Sequence, residues 1–213
     1  MRLISKLSVL AVLTATDWFA LPSAQADVIY TDRVAFESAL PPGFYFNDFS
    51  GLATSIGPEV LISQFGGTPI VSFSANAAGG MGIFDVPGEP FKSLGNWFPL
   101  NDINVQFNSF NVNAAGGNLW LTDVNGDRIA GTINVAYSNG TNGVVNSTTS
   151  GPLGYFGITS ANFFSSVAFS TGANDVFVNF SNFSVASVPE PASLLLVGLG
   201  TCGLLLRRRG LNS

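Results

Sequence analysis

"IAGTINVAY", Ile129–Tyr137, places Ile129, Gly131, Ile133, Val135 and Tyr137 on one face and Thr132 and Asn134 on the other. A period of two is the mark of a strand with one face on a core and one in water; a helix would repeat every 3.6 residues. Alternation of this kind belongs to antiparallel sheets. Short apolar alternation bounded by turn residues recurs at Phe44–Phe49, Pro69–Ala75, Val105–Val112, Leu119–Thr122, Tyr155–Thr159, Val167–Ser170 and Val176–Val185. Many short strands with Gly- and Asn-rich turns predict an all-β chain, a β-sandwich of jelly-roll type.

One stretch departs from this period. In "TDRVAFESAL" (Thr31–Leu40), Thr31 or Asp32 can cap a helix, and Val34, Ala35, Phe36 and Leu40 supply an apolar side. Pro41-Pro42 ends it, because the second proline drives its predecessor out of the helical region. One short N-terminal helix is therefore expected.

Two strands echo each other. "VQFNSFNV" (Val105–Val112) and "VNFSNFSV" (Val178–Val185) share the pattern V-x-F-x-x-F-x-V. The three-residue step between the phenylalanines would flip the face unless a bulge absorbs one residue. Bulges are expected at Asn108-Ser109 and Ser181-Asn182, with the two strands facing each other or side by side.

"TDVNGDR" (Thr122–Arg128) joins two strands. Asp123, Asn125 and Asp127 alternate like the first ligands of a calcium loop, but Gly126 falls at the fourth position and no glutamate follows at the twelfth. Asn-Gly between strands is a hairpin signal requiring positive φ at both central residues, and the hairpin is the preferred reading. Tyr137–Pro152 reads as a polar loop or exposed hairpin tip, and "NAAGGMG" (Asn76–Gly82) as a flexible turn.

Both ends of the chain look like targeting segments. Arg2 and Lys6 precede the apolar stretch Leu7–Leu13, and Ala24-Gln25-Ala26 follows as a small-residue cleavage site. That order is a signal peptide over residues 1–26, with Ala24 and Ala26 as the small residues of its cleavage site. At the other end, "VPEPASLLLVGLGTCGLLLRRRG" runs from Val188 to Gly210. Its fifteen uncharged residues Ala192–Leu206 fall slightly short of the ~20 of a comfortable membrane span. Arg207, Arg208 and Arg209 act as a cytoplasmic stop, which orients the domain outside. The expected parts are a leader over 1–26, a secreted domain over 27–187 and a tail with a transmembrane helix over 188–210.

The secreted part is acidic, with eleven Asp and Glu against Arg33, Lys92 and Arg128. A chain with three cations cannot neutralise a row of phosphates, so nucleic acid is excluded as a partner, and an anionic membrane surface would repel it. The chain has no histidine, and its single cysteine, Cys202, lies in the apolar tail. Histidine- and cysteine-based triads and metal sites are thereby excluded, and no cofactor is expected.

Carboxylate chemistry remains. A glycoside hydrolase needs two carboxyls about 5–10 Å apart, and no spacing among the acids selects such a pair. Asp48, Asp102, Asp123 and Asp127 are its candidates, with solvated surface acids as the plainer reading. Glycan binding suits the inventory better. "LGNWFPLND" (Leu94–Asp102) sets Trp97 and Phe98 among Asn96, Asn101 and Asp102 in a loop, pairing aromatic faces with groups that bond hydroxyls. Trp120 lies on the face opposite Leu119 and Leu121, and core burial is its simpler role.

The order of parts in the tail resembles the PEP-CTERM sorting signal of exported bacterial proteins. The resemblance implies that Pro189, Glu190 and Pro191 form a recognition triplet for an exosortase, an integral-membrane processing enzyme, and that Arg207–Arg209 form a retention cluster. It further implies transient anchoring by the tail, then release or transfer to the cell surface, often beside extracellular polysaccharide. Tyr30–Leu52, a short helix with an Ala-Phe pair before a strand near Asp-Phe, is similar to the start of many domains bearing this tail. The expected protein is a secreted, non-enzymatic surface or matrix component whose candidate ligand is glycan. A carboxylate hydrolase and a permanently anchored envelope protein are the alternatives.

Overall fold

The computed structural model describes residues 27–62, 72–99, 101–108 and 111–188, all within one compact unit spanning Ala26–Val188. The leader with Ala24 and Ala26, and the tail with Pro189, Glu190, Pro191 and Arg207–Arg209, lie outside the described residues. Among the described residues no helix is long and apolar enough to cross a membrane.

The strands are β1 (Val28–Tyr30), β2 (Tyr45–Asn47), β3 (Ser55–Ile62), β4 (Phe73–Asp85), β5 (Lys92–Asn96), β6 (Ile103–Phe107) and β7 (Ala114–Thr122). They continue with β8 (Arg128–Ile129), β9 (Gly131–Tyr137), β10 (Asn142–Ser147), β11 (Gly154–Thr159), β12 (Ser166–Ser170) and β13 (Phe177–Ala186). One helix, α1, spans Arg33–Ala39. The hydrogen-bonded path runs β1-β11-β7-β13-β5-β4-β6-β12-β9-β10, with β2 on β13, β3 on β4 and β8 on β7. The antiparallel, mostly β architecture with one helix is thus as expected. Instead of two separate sheets, a single continuous ladder links the strands.

That ladder folds back on itself. Tyr137 of β9 donates its hydroxyl to the carbonyl of Ala115 on β7 at 3.0 Å, and its ring stacks on Phe156 of β11 at 5.8 Å. The amide of Leu121 on β7 donates to the Ser147 hydroxyl of β10 at 2.9 Å. The last strands of the path therefore lie over the first, and one apolar core fills the space between.

The turn from one layer to the other is made by β4. Phe73–Ala77 pairs with β6, and Met81–Asp85 pairs with β5. Gly80, between these halves, has φ +111°, a conformation glycine adopts without Cβ strain. The segment Asn76–Gly82 is therefore the corner of a long strand and not a flexible turn. In β3, Pro58 sits at the register shift between Gly57 and Glu59, where a missing N–H costs no ladder bond.

The two echoed segments meet across the core. Phe107 and Phe183 stack at 6.3 Å with ring planes 4° apart, although β6 and β13 are not neighbours in the ladder. The bulge in β13 is present, as a register shift between Ser181 and Ser184 with Asn182 at φ +49°. In the first copy, Ser109 lies outside the described residues.

Helix α1 begins as predicted. The Asp32 carboxylate accepts the Ala35 amide at 2.8 Å, and Leu40 leaves the helix with ψ 152° before the two prolines. Only Phe36 and Leu40 of its apolar residues are buried, while Val34 is 74% exposed. Ser138–Thr141 turns β9 into β10, so the polar segment after Tyr137 is a hairpin whose second strand contains Val144 and Val145.

Two tyrosines are pushed towards the neutral form by burial. Tyr137 is raised well above the usual phenol range by desolvation, and Tyr155 by desolvation and then by the nearby Glu37 charge. A phenol raised in the folded state favours folding below its unfolded value of about 10, and that contribution is lost as pH rises above it. The two differ in bonding, because the Tyr155 hydroxyl is buried with no hydrogen-bond partner. Tyr155→Phe is therefore expected to leave stability at pH 7 unchanged or improved, and to move alkaline unfolding to higher pH. Tyr137→Phe, which loses the bond to Ala115, is expected to cost about 1 kcal/mol. Urea unfolding at pH 7 and pH 10.5 checks both; a clear loss for Tyr155→Phe at pH 7 would contradict the unpaired hydroxyl.

Candidate ligand surface

The segment after β5 is built on one buried amide. Asn96 is 2% exposed, and its carbonyl oxygen accepts the Val178 amide of β13 at 2.7 Å. Its NH₂ group donates to the carbonyls of Phe98 at 2.8 Å and Asn101 at 3.0 Å. A satisfied buried amide of this kind fixes geometry, since breaking it would leave polar groups unpaired. The loop is tied to the sheet a second time by the Trp97 amide, which donates to the Gly80 carbonyl at 3.0 Å.

Those bonds present aromatic side chains to solvent. Trp97 is 43% exposed and Phe98 is 52% exposed. Trp97 stacks on Phe84 of β4, with centroids 6.1 Å apart and planes 10° apart. Glycines make the room. A Cβ at Gly82 would lie 2.1 Å from the Phe84 ring, and one at Gly79 would lie 2.6 Å from the Phe98 ring. Ile56, opposite Gly82 in the β3–β4 ladder and 54% exposed, extends the apolar surface. Asn101 is half-buried, its amide donating to Ala78 at 3.4 Å, and Asp102 is exposed.

Trp97, Phe98, Asn101 and Asp102 thus share one end of the sheet. Asn96, expected in the loop beside the aromatics, is instead the buried mount that ties the loop to β13. Phe84 and the glycines at 79 and 82 complete the arrangement, and sequence reasoning missed them. Gly82 and Phe84 share one strand face, two residues apart, but only their membership of a strand reveals that relation.

Trp120 lies on the face opposite Leu119 and Leu121, and it is 2% exposed. Phe91 meets it edge-on at 6.5 Å, so it offers no platform.

At the β7–β8 turn, Asp123 Oδ1 accepts the amides of Asn125 and Asp127, each at 2.9 Å. The Asp123 amide donates to Asp127 O at 2.9 Å. This is a hairpin loop in which Gly126 alone takes positive φ, at +86°, while Asn125 does not. The turn is therefore a glycine-ended loop and not the two-residue form expected. Asp48 accepts both the hydroxyl and the amide of Ser50, at 2.7 Å and 3.0 Å. Hydrogen bonds from Ser50 hold it below the usual carboxylate range, which keeps it ionised.

A family model for the PEP-CTERM protein-sorting motif matches residues 187–209. The chain carries a PEP-CTERM sorting motif. The matched span contains the Pro189-Glu190-Pro191 triplet and the Arg207–Arg209 cluster, and it begins within the last two described residues of the compact unit. The motif indicates export and sorting to the cell surface.

No curated protein matches this chain. Among solved structures, a variant of a family 29 carbohydrate-binding module is similar at 10% identity and a TM-score of 0.29, over 80% of this chain and 95% of that one. A second variant, complexed with cellulohexaose, is similar at 9% identity and a TM-score of 0.29, over 76% and 92%. Likenesses this distant carry no inference about ligand.

Proposed function

We propose that the protein is exported, processed at its tail by an exosortase-type membrane enzyme, and works at the cell surface or in the extracellular matrix as a non-enzymatic, jelly-roll-like β-sandwich module that binds glycan. The observation that carries the glycan reading is the exposed Trp97–Phe84 stack beside Phe98, held on a rigid sheet end by Asn96. Sugar rings present C–H faces to aromatic planes and hydroxyls to amides and carboxylates, and Asn101 and Asp102 follow the aromatic pair closely in sequence. Burying the apolar face of a platform this well ordered loses little side-chain freedom, since the Asn96 bonds already hold the loop.

Affinity electrophoresis of residues 27–188 through gels cast with the host's own polysaccharide tests this. The wild-type domain is expected to be retarded, and Trp97→Ala to weaken binding by about tenfold, near 1.4 kcal/mol. Equal mobility of both proteins in every polysaccharide gel would remove the glycan reading. The sorting reading has its own measurement: mass spectrometry of the mature protein is expected to find Arg207–Arg209 absent, and an intact terminus would indicate permanent anchoring.

A further inference from the structure

The exit of the tail is held rigidly. Asn113 is 1% exposed, and its side-chain amide pairs with Val188 in both directions. Asn113 Nδ2 donates to Val188 O at 2.8 Å, and Val188 N donates to Asn113 Oδ1 at 2.6 Å. The pair lies just beyond the last β7–β13 rung, Ala114 with Ala186, where Asn113 N also donates to Ala186 O at 3.3 Å. Pro189 is the next residue, so the sorting triplet follows directly on this anchored position.

The same end of the sheet gathers other segments. Val28 pairs with Thr159, Thr159 with Ala114, and Ala114 with Ala186, so the start of β1 and the end of β11 lie beside the exit. The loop after β11 is pinned there: Ser160 N donates to Asn113 O, and Phe164 N to Val112 O, each at 2.8 Å. Asn139 of the β9–β10 turn donates to Ser160 Oγ at 3.1 Å, and Thr141 bonds to Asp27. Phe163, at the head of the pinned loop, is 47% exposed, and Val28 is 39% exposed.

Charge divides the two ends. Among described residues 27–28, 107–108, 111–113, 138–141, 160–165 and 187–188, Asp27 is the one charged side chain. The opposite end holds Asp102, Asp123, Asp127 and Asp175 together with Trp97 and Phe98; the Asn96–Val178 and Trp97–Gly80 bonds place the aromatic loop there.

We propose that the Val188 end is a membrane-facing surface, with Phe163 seated in the headgroup layer of an electrically neutral lipid bilayer. The inference rests on the reading of Ala192–Leu206 as a segment that enters the membrane. From Val188 to Ala192 the chain takes four steps, at most about 14 Å when extended. The headgroup layer on one side of the hydrocarbon is about 5–7 Å thick. A rigid exit point this close sets the neighbouring loop against the bilayer, and an exposed Phe ring gains by leaving water for the headgroup/acyl boundary. The acidic far end, with the aromatic loop, is then directed away from the membrane towards extracellular ligands.

The experiment uses the full-length chain with Cys202→Ser and a single new cysteine, Phe163→Cys or Asn162→Cys, carrying an environment-sensitive fluorophore. The reference position is Val124→Cys, in the exposed β7–β8 turn at the opposite end. Each protein is mixed with phosphatidylcholine vesicles containing a doxyl-labelled lipid quencher, and flotation reports insertion of the tail. The expected result is flotation of all three, with severalfold stronger quenching and a blue shift at 162 or 163 and neither at 124. Flotation with equal quenching at both ends would overturn the membrane-facing surface and leave the tail reading intact. Failure to float would overturn the tail reading, and the surface with it.

Discussion

Phe183→Ala is expected to lower stability by about 3–5 kcal/mol, a large share of the ~5–15 kcal/mol typical of a domain. Phe183 is 2% exposed and meets three other rings: Phe73 at 5.3 Å, Phe180 at 5.6 Å and Phe107 at 6.3 Å. Phe73 lies on β4 and Phe107 on β6, so this side chain joins layers that share no ladder bond at that point. Truncation removes the transfer free energy of the ring and leaves a cavity whose walls belong to rigid strands, which collapse only partly. The bulge before it gives no relief, because the positive φ of Asn182 already directs Phe183 into the core. Urea denaturation of wild type and variant measures the difference. A loss below about 1 kcal/mol would show that the ring cluster repacks freely.

Gly116→Val is expected to be comparably harmful for the opposite reason. Gly116 and Gly157 face each other across β7 and β11, and Phe36 of α1 packs over them. A Cβ at Gly116 would lie 2.8 Å from the Gly157 Cα, 2.9 Å from the Phe36 ring and 2.9 Å from the Tyr155 hydroxyl. The first of these is backbone, so the strands or the helix must separate. Overpacking of this kind costs about 1–3 kcal/mol and occasionally more, and here it also lifts Phe36, which is fully buried. Gly172→Ala is the control: a Cβ there meets nothing within 4 Å, and its effect should stay within about 0.5 kcal/mol. Equal melting temperatures for the two variants would refute the close contact.

Much of the fold was legible because its signals are local. The alternation appears as β9 over Gly131–Tyr137 with the expected face inward, while Ile129, expected in the same strand, falls in β8 and pairs with Leu121 of β7. Asp32 and Pro41-Pro42 bound the helix as their backbone chemistry requires. The repeated V-x-F-x-x-F-x-V pattern located a real bulge in β13, because a three-residue step between two core rings has no other regular solution.

The strands that escaped notice are those whose partners lie elsewhere. Short β1 carries no alternation and is a strand only because Ile158 and Thr159 pair with it. The polar β10 is held by its hairpin with β9. The Gly-rich half of β4 looks like a turn until β5 and β6 supply two different partners for its two halves. The candidate surface divides the same way. Trp97, Phe98, Asn101 and Asp102 stand out in the sequence as an aromatic-polar cluster, but their mounting does not. Asn96 binds a strand eighty-two positions away, and Phe84 reaches Trp97 over space that Gly82 leaves open.

By itself the sequence determined the β class, the single helix and its limits, the acidic balance and the sorting motif, since each rests on neighbouring residues or on composition. Tertiary structure alone decided which glycines are windows and which are corners, which tryptophan is exposed and which is covered, and that Val188 and the aromatic loop lie at opposite ends of the sheet. Those outcomes depend on contacts between residues far apart in the chain, and no local spacing encodes the distance between them.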